Sequence, residues 1–357
     1  MLTYITRRIL LLFPTLFGIT LLVFSVMAVA PGGIGGAALK AAGGEQSAEA
    51  RRIREYYNQR YGLDKPVLVQ YVRWLNQISP VGFRLREDRS LGSLGFKVPD
   101  LGESLVRHRP VLTLIGESLP ITLMLNLIAF PIVYTVGLST GMLAARHRGK
   151  LLDVGLGTTQ LALWSIPVIW TGVMLIGFLA NKQYIKLFPT SGLGDPMAPE
   201  MAFLPRITEA GFQRGWLLDL LWHLVLPVTC MVYGGGAVLA KLTRGSILEN
   251  LHQDYVRTAR AKGVDEKTVF FQHVLRNSLL PLITVFSGIL PAMLAGSVII
   301  ESIFSIPGMG RLMVEAVQYR DKELVMAQTL VGGMLVLASE IIRDICYAIA
   351  DPRVSYE

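Results

Sequence analysis

The side chains best placed for chemistry are the few ionisable residues inside long apolar stretches of the sequence. Glu340, Arg343 and Asp344 cluster near the end of the last stretch, and His223 stands in an earlier one. Charge within a membrane usually marks an ion or proton pathway. However, Glu340 and Arg343 have the i,i+3 spacing of a helical ion pair, and His223 has no partner at a telling spacing. We therefore expect an interfacial lock at 340–344 and an ordinary hydrogen bond at His223.

The sequence predicts no catalytic centre. Cys230 and Cys346 both lie in apolar runs, without the paired spacing of a zinc site, which favours a buried hydrophobic role. The phosphate-binding pattern GxxxxGK[ST] is missing, since the nearest approach, between Gly141 and Leu151, has the wrong spacing and no hydroxyl. An intramembrane protease or hydrolase is also disfavoured, because no nucleophile is matched with a base.

The polar segment 241–277 carries the clearest pattern for an interaction. Its first half places apolar residues on one face of a helix, Gly263 ends that helix, and Asp265 caps a second one. The apolar residues of the two helices are Ile247, Leu248, Leu251, Tyr255, Val256 and Ala259, then Val269, Phe270, Val274 and Leu275. The pattern predicts a helix, a glycine turn and a second helix.

Two interpretations of this segment are equally compatible with its periodicity. The two helices can form a knob that docks into another protein, with Tyr255 and Val256 as anchors and Arg257, Arg260 and Lys262 at a polar rim. Alternatively, both helices can lie on the membrane with their basic residues towards lipid phosphate.

The composition indicates which elements must hold these residues. Of the 357 residues, 52% are hydrophobic and 17% are charged, against about 25% charged in soluble domains. The first charge-free run is long enough to rise ~33 Å as a helix, which spans a hydrocarbon core of about 30 Å. Six charge-free runs predict six transmembrane helices: Ile9–Ala30, Ser118–Ala145, Val154–Ala180, Leu220–Ala240, Ser278–Ile300 and Leu324–Ser339. The length of the first run and the Pro31 after it favour a retained helix over a cleaved signal peptide.

The distribution of basic residues predicts both termini on the cytoplasmic side. With the N-terminus inside, the inner segments carry 14 Lys and Arg and the short outer loops carry 7. The predicted layout is an N-terminal transmembrane helix over 1–30, a long extracytoplasmic loop over 31–111, a five-helix core over 112–350 and a tail over 351–357. The net charge of +8 comes from scattered residues, so no nucleic-acid partner is expected.

The long loop 31–111 begins with a Gly/Ala-rich stretch and then becomes aromatic. Two groups recur at helical spacing, and they predict short amphipathic helices that pack on the protein or dock a partner: Ile53, Tyr56, Tyr57, Arg60 and Tyr61, then Tyr71, Trp74, Leu75 and Ile78. Packing on the protein is the favoured role.

A family resemblance favours the docking interpretation of 241–277. Tyr255-Val-Arg-Thr-Ala-Arg-Ala-Lys-Gly263, with Phe270–His273 and Leu275-Arg-Asn277 after it, resembles the EAA loop of ABC importer permeases in its dipeptide/oligopeptide/nickel form. The usual Glu-Ala-Ala appears as Arg257-Thr258-Ala259, which is that branch's own form. The long first loop resembles the subgroup of microcin C and oligopeptide permeases. Further family landmarks follow in order: Arg7-Arg8, Ala30-Pro-Gly, Tyr61–Pro66, Tyr71–Leu75, Ser118–Thr122, His223–Pro227, Glu301–Gly310 and Asp351–Arg353.

The resemblance implies an all-α polytopic membrane protein with the type I ABC importer (MetI-like) permease fold, N-in and C-in, in the bacterial inner membrane. It implies a non-catalytic subunit that forms the pathway for di- or oligopeptides or a related solute. The implied partners are a homologous second permease subunit, two cytoplasmic ATPases that bind ATP and Mg, an extracytoplasmic solute-binding protein and membrane lipid. No cofactor is implied for this chain. The implied ATPase-coupling residues are Tyr255, Val256, Arg257, Thr258, Ala259, Arg260, Ala261, Lys262 and Gly263.

An ion-coupled secondary transporter or channel is the alternative from a different class. It requires buried carboxylates in the middle of its spans. The apolar runs contain no carboxylate in that position, which disfavours this alternative.

Overall fold

The computed structural model of the chain is mostly helical. It describes residues 2–29, 48–85, 91–208, 211–279, 281–283, 285 and 298–350. The described part divides into two compact units, one formed by residues up to Leu119 together with Leu312–Ala338, the other by Pro120–Arg311 and the stretch from Ser339.

The elements up to the first long core helix are three helices and two short hairpins. In chain order they are α1 (Leu2–Val29), α2 (Ala48–Tyr61), α3 (Val67–Ile78), β1 (Val81–Leu85), β2 (Leu91–Phe96), β3 (Glu103–Ser104), β4 (Arg109–Pro110) and α4 (Val111–Arg146).

The remaining elements are helices, interrupted by one further hairpin. They are α5 (Leu151–Ser165), α6 (Val168–Leu175) with a π-helical turn Ile176–Ala180, a 3-10 turn Ala198–Glu200, β5 (Arg206–Thr208), β6 (Gly211–Gln213), α7 (Gly215–Leu251), α8 (Asp254–Ala261), α9 (Glu266–Thr268) with a π-helical continuation Val269–Leu275, α10 (Arg276–Ser278), α11 (Val298–Ile303), α12 (Met309–Gln318) and α13 (Lys322–Ala350).

The membrane-spanning candidates coincide with five of the six predicted apolar runs. Within the described residues, four helical segments are long and apolar enough to cross a membrane: Leu10–Val29, Val111–Arg146, Gly215–Leu251 and Lys322–Ile342. The pair α5 and α6 passes the same test as one broken span. Most of the remaining run, Ser278–Ile300, lies outside the described residues, so six spans and their orientation stay predictions.

The third run is folded as two helices. α5 and α6 meet at a bend of 89°, within the predicted run Val154–Ala180. Pro167 cannot donate a backbone hydrogen bond, and Ile166 before it is extended, with ψ 121°. The hydroxyl of Tyr233 donates to the freed Ile166 carbonyl at 2.8 Å, which removes the cost of leaving that group unpaired.

The prediction of an all-α protein also needs a correction. Three two-stranded antiparallel hairpins, β1–β2, β3–β4 and β5–β6, lie between the long helices. In the first hairpin Val81 pairs with Phe96, Phe83 with Leu94, and Gly82 with Gly95. The alternation covers only a few residues and includes glycine, which weakens strands, so the sequence pattern was too short to predict it.

The helix α3 of the long first loop packs on the first span. Tyr71 and Trp74 of α3 are buried, and the Tyr71 hydroxyl lies 2.9 Å from the Thr20 hydroxyl of α1. The ring of Phe24 in α1 lies 5.4 Å from that of Tyr71 and 5.6 Å from that of Trp74, between centroids. The favoured packing role of these aromatic residues is therefore confirmed.

A buried polar cluster joins the end of α2 to the start of α13. The Tyr61 hydroxyl donates to both carboxylate oxygens of Glu323, at 2.8 and 2.9 Å. Burial raises the pKa of Tyr61 well above its usual value, and the Glu323 charge acts in the same direction, so the phenol keeps its proton and remains a donor. Arg60 donates to Asp100 at 2.6 Å. Burial would raise the pKa of Asp100, but the Arg60 charge and hydrogen bond outweigh it and lower that pKa.

Two glycines let α4 and α7 approach closely. A Cβ added to Gly137 would lie 2.7 Å from Leu239, and one added to Gly141 would lie 2.6 Å from the Ala240 carbonyl oxygen. Gly137 and Gly141 form a GxxxG pair, a spacing that lets helix backbones approach closely. This contact between α4 and α7 stabilises the second unit. The main buried core of that unit lies further along the same helices, around Leu125 and Leu224.

We expect Gly141→Ala to lower the thermal stability of the chain. The new methyl group has no room beside a backbone carbonyl, and overpacking of this kind costs about 1–3 kcal/mol. Gly155→Ala is the matched control, since a Cβ there meets nothing within 4 Å and alanine is the better helix former by about 1 kcal/mol. Midpoints of thermal unfolding in detergent test the pair. Equal midpoints for Gly141→Ala and the unmodified chain would contradict the close packing.

Candidate functional site

The candidate coupling residues form a short helix and the turn that ends it. α7 stops at Leu251, His252 and Gln253 form a break, and α8 begins at Asp254. The sequence predicts one helix with an apolar face from Ile247 to Ala259. The single helix is wrong because of the break, whereas the apolar face is confirmed except at Tyr255, since Ile247, Val256 and Ala259 share one buried cluster. Tyr255 consequently lies on the exposed side, where its hydroxyl donates to Asn250 at 2.6 Å.

The buried face of α8 packs within the chain itself. Val256 is 0% exposed and Ala259 is also buried, both against a cluster that includes Ile247, Val269 and Val274. Val256 cannot anchor a partner as the docking hypothesis supposed, because its side chain has no free surface. Its position instead fixes which side of α8 points away from the protein.

The outward face of α8 is basic. The Arg257 side chain is 73% exposed and has only a long contact of 3.4 Å with Asp254. Arg260 and Lys262 are also exposed. Of the predicted rim, Arg257 and Lys262 present their charges outwards, while Arg260 is engaged by a neighbouring carboxylate.

Gly263 ends α8 in the predicted way. Its φ is +77°, a conformation that glycine adopts without steric cost. Its N–H donates to the Arg260 carbonyl at 2.9 Å, and the next N–H, of Val264, donates to the Ala259 carbonyl at 3.2 Å. These two bonds define a Schellman motif.

Two carboxylates, those of Asp265 and Glu266, stabilise the chain just after the turn at Gly263. Asp265 caps α9 by accepting from the Thr268 N–H at 3.0 Å, which confirms the predicted cap, and hydrogen bonding from Thr268 lowers the pKa of Asp265. Arg260 donates to both oxygens of Glu266, at 2.8 and 3.1 Å. This bidentate geometry is more specific than a single contact, so α8 and the helix after it are held at a defined angle.

Sequence reasoning missed Glu301 as a structural centre. The side chain is 0% exposed, and it accepts from the Thr122 hydroxyl at 2.9 Å and from the N–H groups of Gly310 and Arg311 at 2.7 and 3.1 Å. Both N–H groups belong to the first turn of α12, where backbone donors are free and favour negative charge. The carboxylate therefore ties α11 and α4 to the start of α12. The glycines of Gly308-Met-Gly310 were the available signal, since a Cβ at Gly308 would lie 2.5 Å from a Glu301 oxygen.

A second missed carboxylate, Asp153, pairs with a residue of another span. Arg244 donates to its two oxygens at 2.6 and 2.8 Å, and the Gly149 N–H donates to one of them at 3.0 Å. The pair lines a largely apolar groove of about 820 Å³ between α5 and α7. Because both charges are paired, this site fits a structural link better than a proton relay.

The expected ordinary hydrogen bond of His223 is confirmed, but the expectation that it has no partner at a telling spacing is wrong. Its Nδ1 lies 2.8 Å from the Asp219 carbonyl oxygen and 3.6 Å from an Asp219 carboxylate oxygen. Asp219 is buried and also accepts from the Asp195 N–H at 2.7 Å. The i,i+4 spacing was the signal, but Asp219 lies just outside the charge-free run. The expected pair of Glu340 with Arg343 lies outside what is described, because the structure does not describe the Arg343 side chain.

Long apolar helices, paired charges and a basic helical turn define a polytopic membrane transport component. The chain belongs to the family of binding-protein-dependent transport system inner membrane components, whose model matches residues 137–356. Residues 1–126 match the N-terminal part of the membrane component of such systems. It is therefore a multi-pass protein of the bacterial inner membrane and a permease subunit of an ABC transporter.

Full-length relatives agree with this assignment. The chain is 35% identical over 357 residues to an oligopeptide transport system permease protein, AppB, of Bacillus subtilis, with 100% of both chains covered. It is 35% identical over 360 residues to a di/tripeptide transport system permease protein, DppB, of Pseudomonas aeruginosa, again over 100% of both. An inner membrane ABC transporter permease protein, YejB, of Escherichia coli O157:H7 is 33% identical over 379 residues, with 99% of both covered.

We expect Glu301→Gln to destabilise the chain. The amide keeps the size of the side chain but replaces one acceptor oxygen with a donor, which leaves buried N–H or O–H groups unpaired at about 1–3 kcal/mol each. Glu200→Gln, at an exposed carboxylate, is the control. The midpoint of thermal unfolding should fall for Glu301→Gln alone, and an unchanged midpoint would contradict the role given to this carboxylate.

Proposed function

We propose that this permease subunit imports di- or oligopeptides in an ATP-driven transporter. The observation that carries the substrate class is the match over the whole chain to relatives named as oligopeptide and di/tripeptide permeases. The match includes the long first loop as well as the core, so it is not limited to the general coupling motif.

The proposed topology has six spans with both termini in the cytoplasm. The excess of Lys and Arg in the inner segments supports this orientation, and it places the basic face of α8 on the side where ATP is available. The loops 31–111, 181–219 and 301–323 then face outwards, where an extracytoplasmic solute-binding protein would deliver the substrate. A homologous second permease subunit completes the pathway.

Energy enters, in this proposal, through the surface formed by Tyr255, Arg257, Thr258 and the residues from Arg260 to Gly263. Two separate cytoplasmic ATPases bind ATP and Mg, since this sequence has no phosphate-binding loop. The geometry supports a docking role in two ways. The outward face is basic and exposed, and the turn behind it is held by the Schellman bonds and the Arg260–Glu266 pair.

Uptake by the complete transporter tests the substrate class. Vesicles that contain both permeases, the ATPases and the solute-binding protein should accumulate labelled di- and oligopeptides only when ATP is supplied. Nickel and glycosides serve as competing substrates. ATP-dependent uptake of nickel with no uptake of peptide would overturn the substrate class while leaving the ATP-driven import mechanism intact.

We expect Gly263→Ala to uncouple transport more than it destabilises the chain. Alanine is strained at φ +77° by about 1–2 kcal/mol, so the angle between α8 and the next helix should shift. Gly149→Ala is a matched control, because Gly149 has φ +76° and an equally open surrounding. ATP-dependent uptake and association with the ATPase are measured for both. Equal losses in the two variants would mean that backbone strain alone explains the effect.

We expect Arg257→Glu to weaken association with the ATPase subunits at least about tenfold. Like charges brought together at an interface cost several kcal/mol, and each 1.4 kcal/mol is about a factor of ten. Lys150→Glu, at another exposed basic residue on the same proposed side, should leave association within about twofold, as exposed charges contribute little. Unchanged copurification of the ATPases with Arg257→Glu would contradict the proposed contact.

A further inference from the structure

The helix α3 of the long first loop has three distinct stripes of side chains. One stripe is buried, one is polar, and one is apolar, with its first two residues exposed and its third half-buried; they are Tyr71, Trp74 and Ile78, then Gln70, Arg73 and Gln77, then Leu68, Val72 and Leu75. Each stripe follows the i, i+3 or i+4, i+7 spacing of one helix face. A soluble loop helix needs only the first two stripes, so the third requires an explanation.

The position of α3 along α1 fixes its depth. Tyr71 lies beside Thr20, and both Tyr71 and Trp74 lie beside Phe24. At 1.5 Å per residue, Thr20 is ~13 Å along the helix from Val29, where the apolar segment Leu10–Val29 ends. Half of a hydrocarbon core is about 15 Å, so the contact with α3 falls within the leaflet at the C-terminal end of α1.

The first span cannot slide outwards to lift α3 into water. Arg7 and Arg8 directly precede its apolar segment, and moving the helix by two turns would draw both charges into the hydrocarbon at about 2.5–3.5 kcal/mol each. The distance from Arg8 to Val29 is ~32 Å along the helix, which already matches the hydrocarbon thickness of about 30 Å.

The polar stripe makes hydrogen bonds to nearby backbone of the same chain. The side-chain amide of Gln77 donates to the Arg60 carbonyl and that of Gln70 to the Lys65 carbonyl, both at 2.8 Å. Leu68, by contrast, is 76% exposed and Val72 is 61% exposed.

We infer that α3 is an interfacial membrane helix, with Leu68 and Val72 against the acyl chains of the leaflet at the C-terminal end of α1. Its occupant is lipid because α3 contacts α1 within the apolar segment Leu10–Val29, at hydrocarbon depth. A polar flank and an apolar flank on one helix is the pattern of helices that lie in the plane of the bilayer. The inference goes beyond the proposed transport function, since it assigns part of the long loop to the membrane.

Spin labels on α3 test the inference in the intact transporter in phospholipid vesicles. Cys230 and Cys346 are first replaced by alanine, and single cysteines are then introduced as Leu68→Cys and Val72→Cys. Val26→Cys on α1 is the lipid reference, and Lys65→Cys, just before the helix, is the aqueous reference. Collision rates are measured with molecular oxygen, which concentrates in hydrocarbon, and with a water-soluble nickel chelate.

The ratio of oxygen to nickel-chelate collisions at 68 and 72 should match that at 26 and exceed that at 65 at least about fivefold, because a polar chelate pays a large cost to enter hydrocarbon. Chelate access at 68 and 72 equal to that at 65 would show that the stripe faces water. Low collision rates with both reagents would show that another protein surface covers it. Either result overturns the inference.

Discussion

An unpaired charge in hydrocarbon is too costly to persist, and this constraint shapes the described parts of the chain. Each buried carboxylate discussed above has its donors: Asp153 has Arg244, Glu301 has backbone N–H groups and Thr122, and Glu323 has the Tyr61 hydroxyl. These contacts join elements distant in sequence. Charge placement therefore stabilises the transporter body and is not available for moving protons, which agrees with a transporter that takes its energy from ATP.

Hydropathy predicted the long helices because a backbone in lipid has few other ways to satisfy its hydrogen bonds. The same physics explains what the sequence could not show. Pro131 and Pro227 lie inside continuous helices, whereas Pro167 breaks one, and the difference depends on tertiary partners such as Tyr233. The strands were missed because a hairpin of five or six residues with glycines has too little periodicity to be separated from a loop.

The sequence predicted the turn and the helix cap of the candidate site correctly, but not which side chains of α8 point outwards. Gly263 and Asp265 have local signals, since a helix end and a cap depend on neighbouring residues alone. The orientation of Val256 depends on the break after Leu251 and on packing against Val269 and Val274, which a helical period cannot show. Family resemblance could identify the segment, but only coordinates could separate its inner side chains from its outer ones.

The closure of the turn at Gly263 has a mechanical consequence. Two backbone hydrogen bonds and the two-pronged Arg260–Glu266 contact must all give way before the angle between α8 and the following helix can open. These contacts limit bending at the turn and hold α8 and the next helix at a defined angle. The residues that follow, from Val269 to Val274, pack against α7, so the orientation of α8 is linked to that of the long helix.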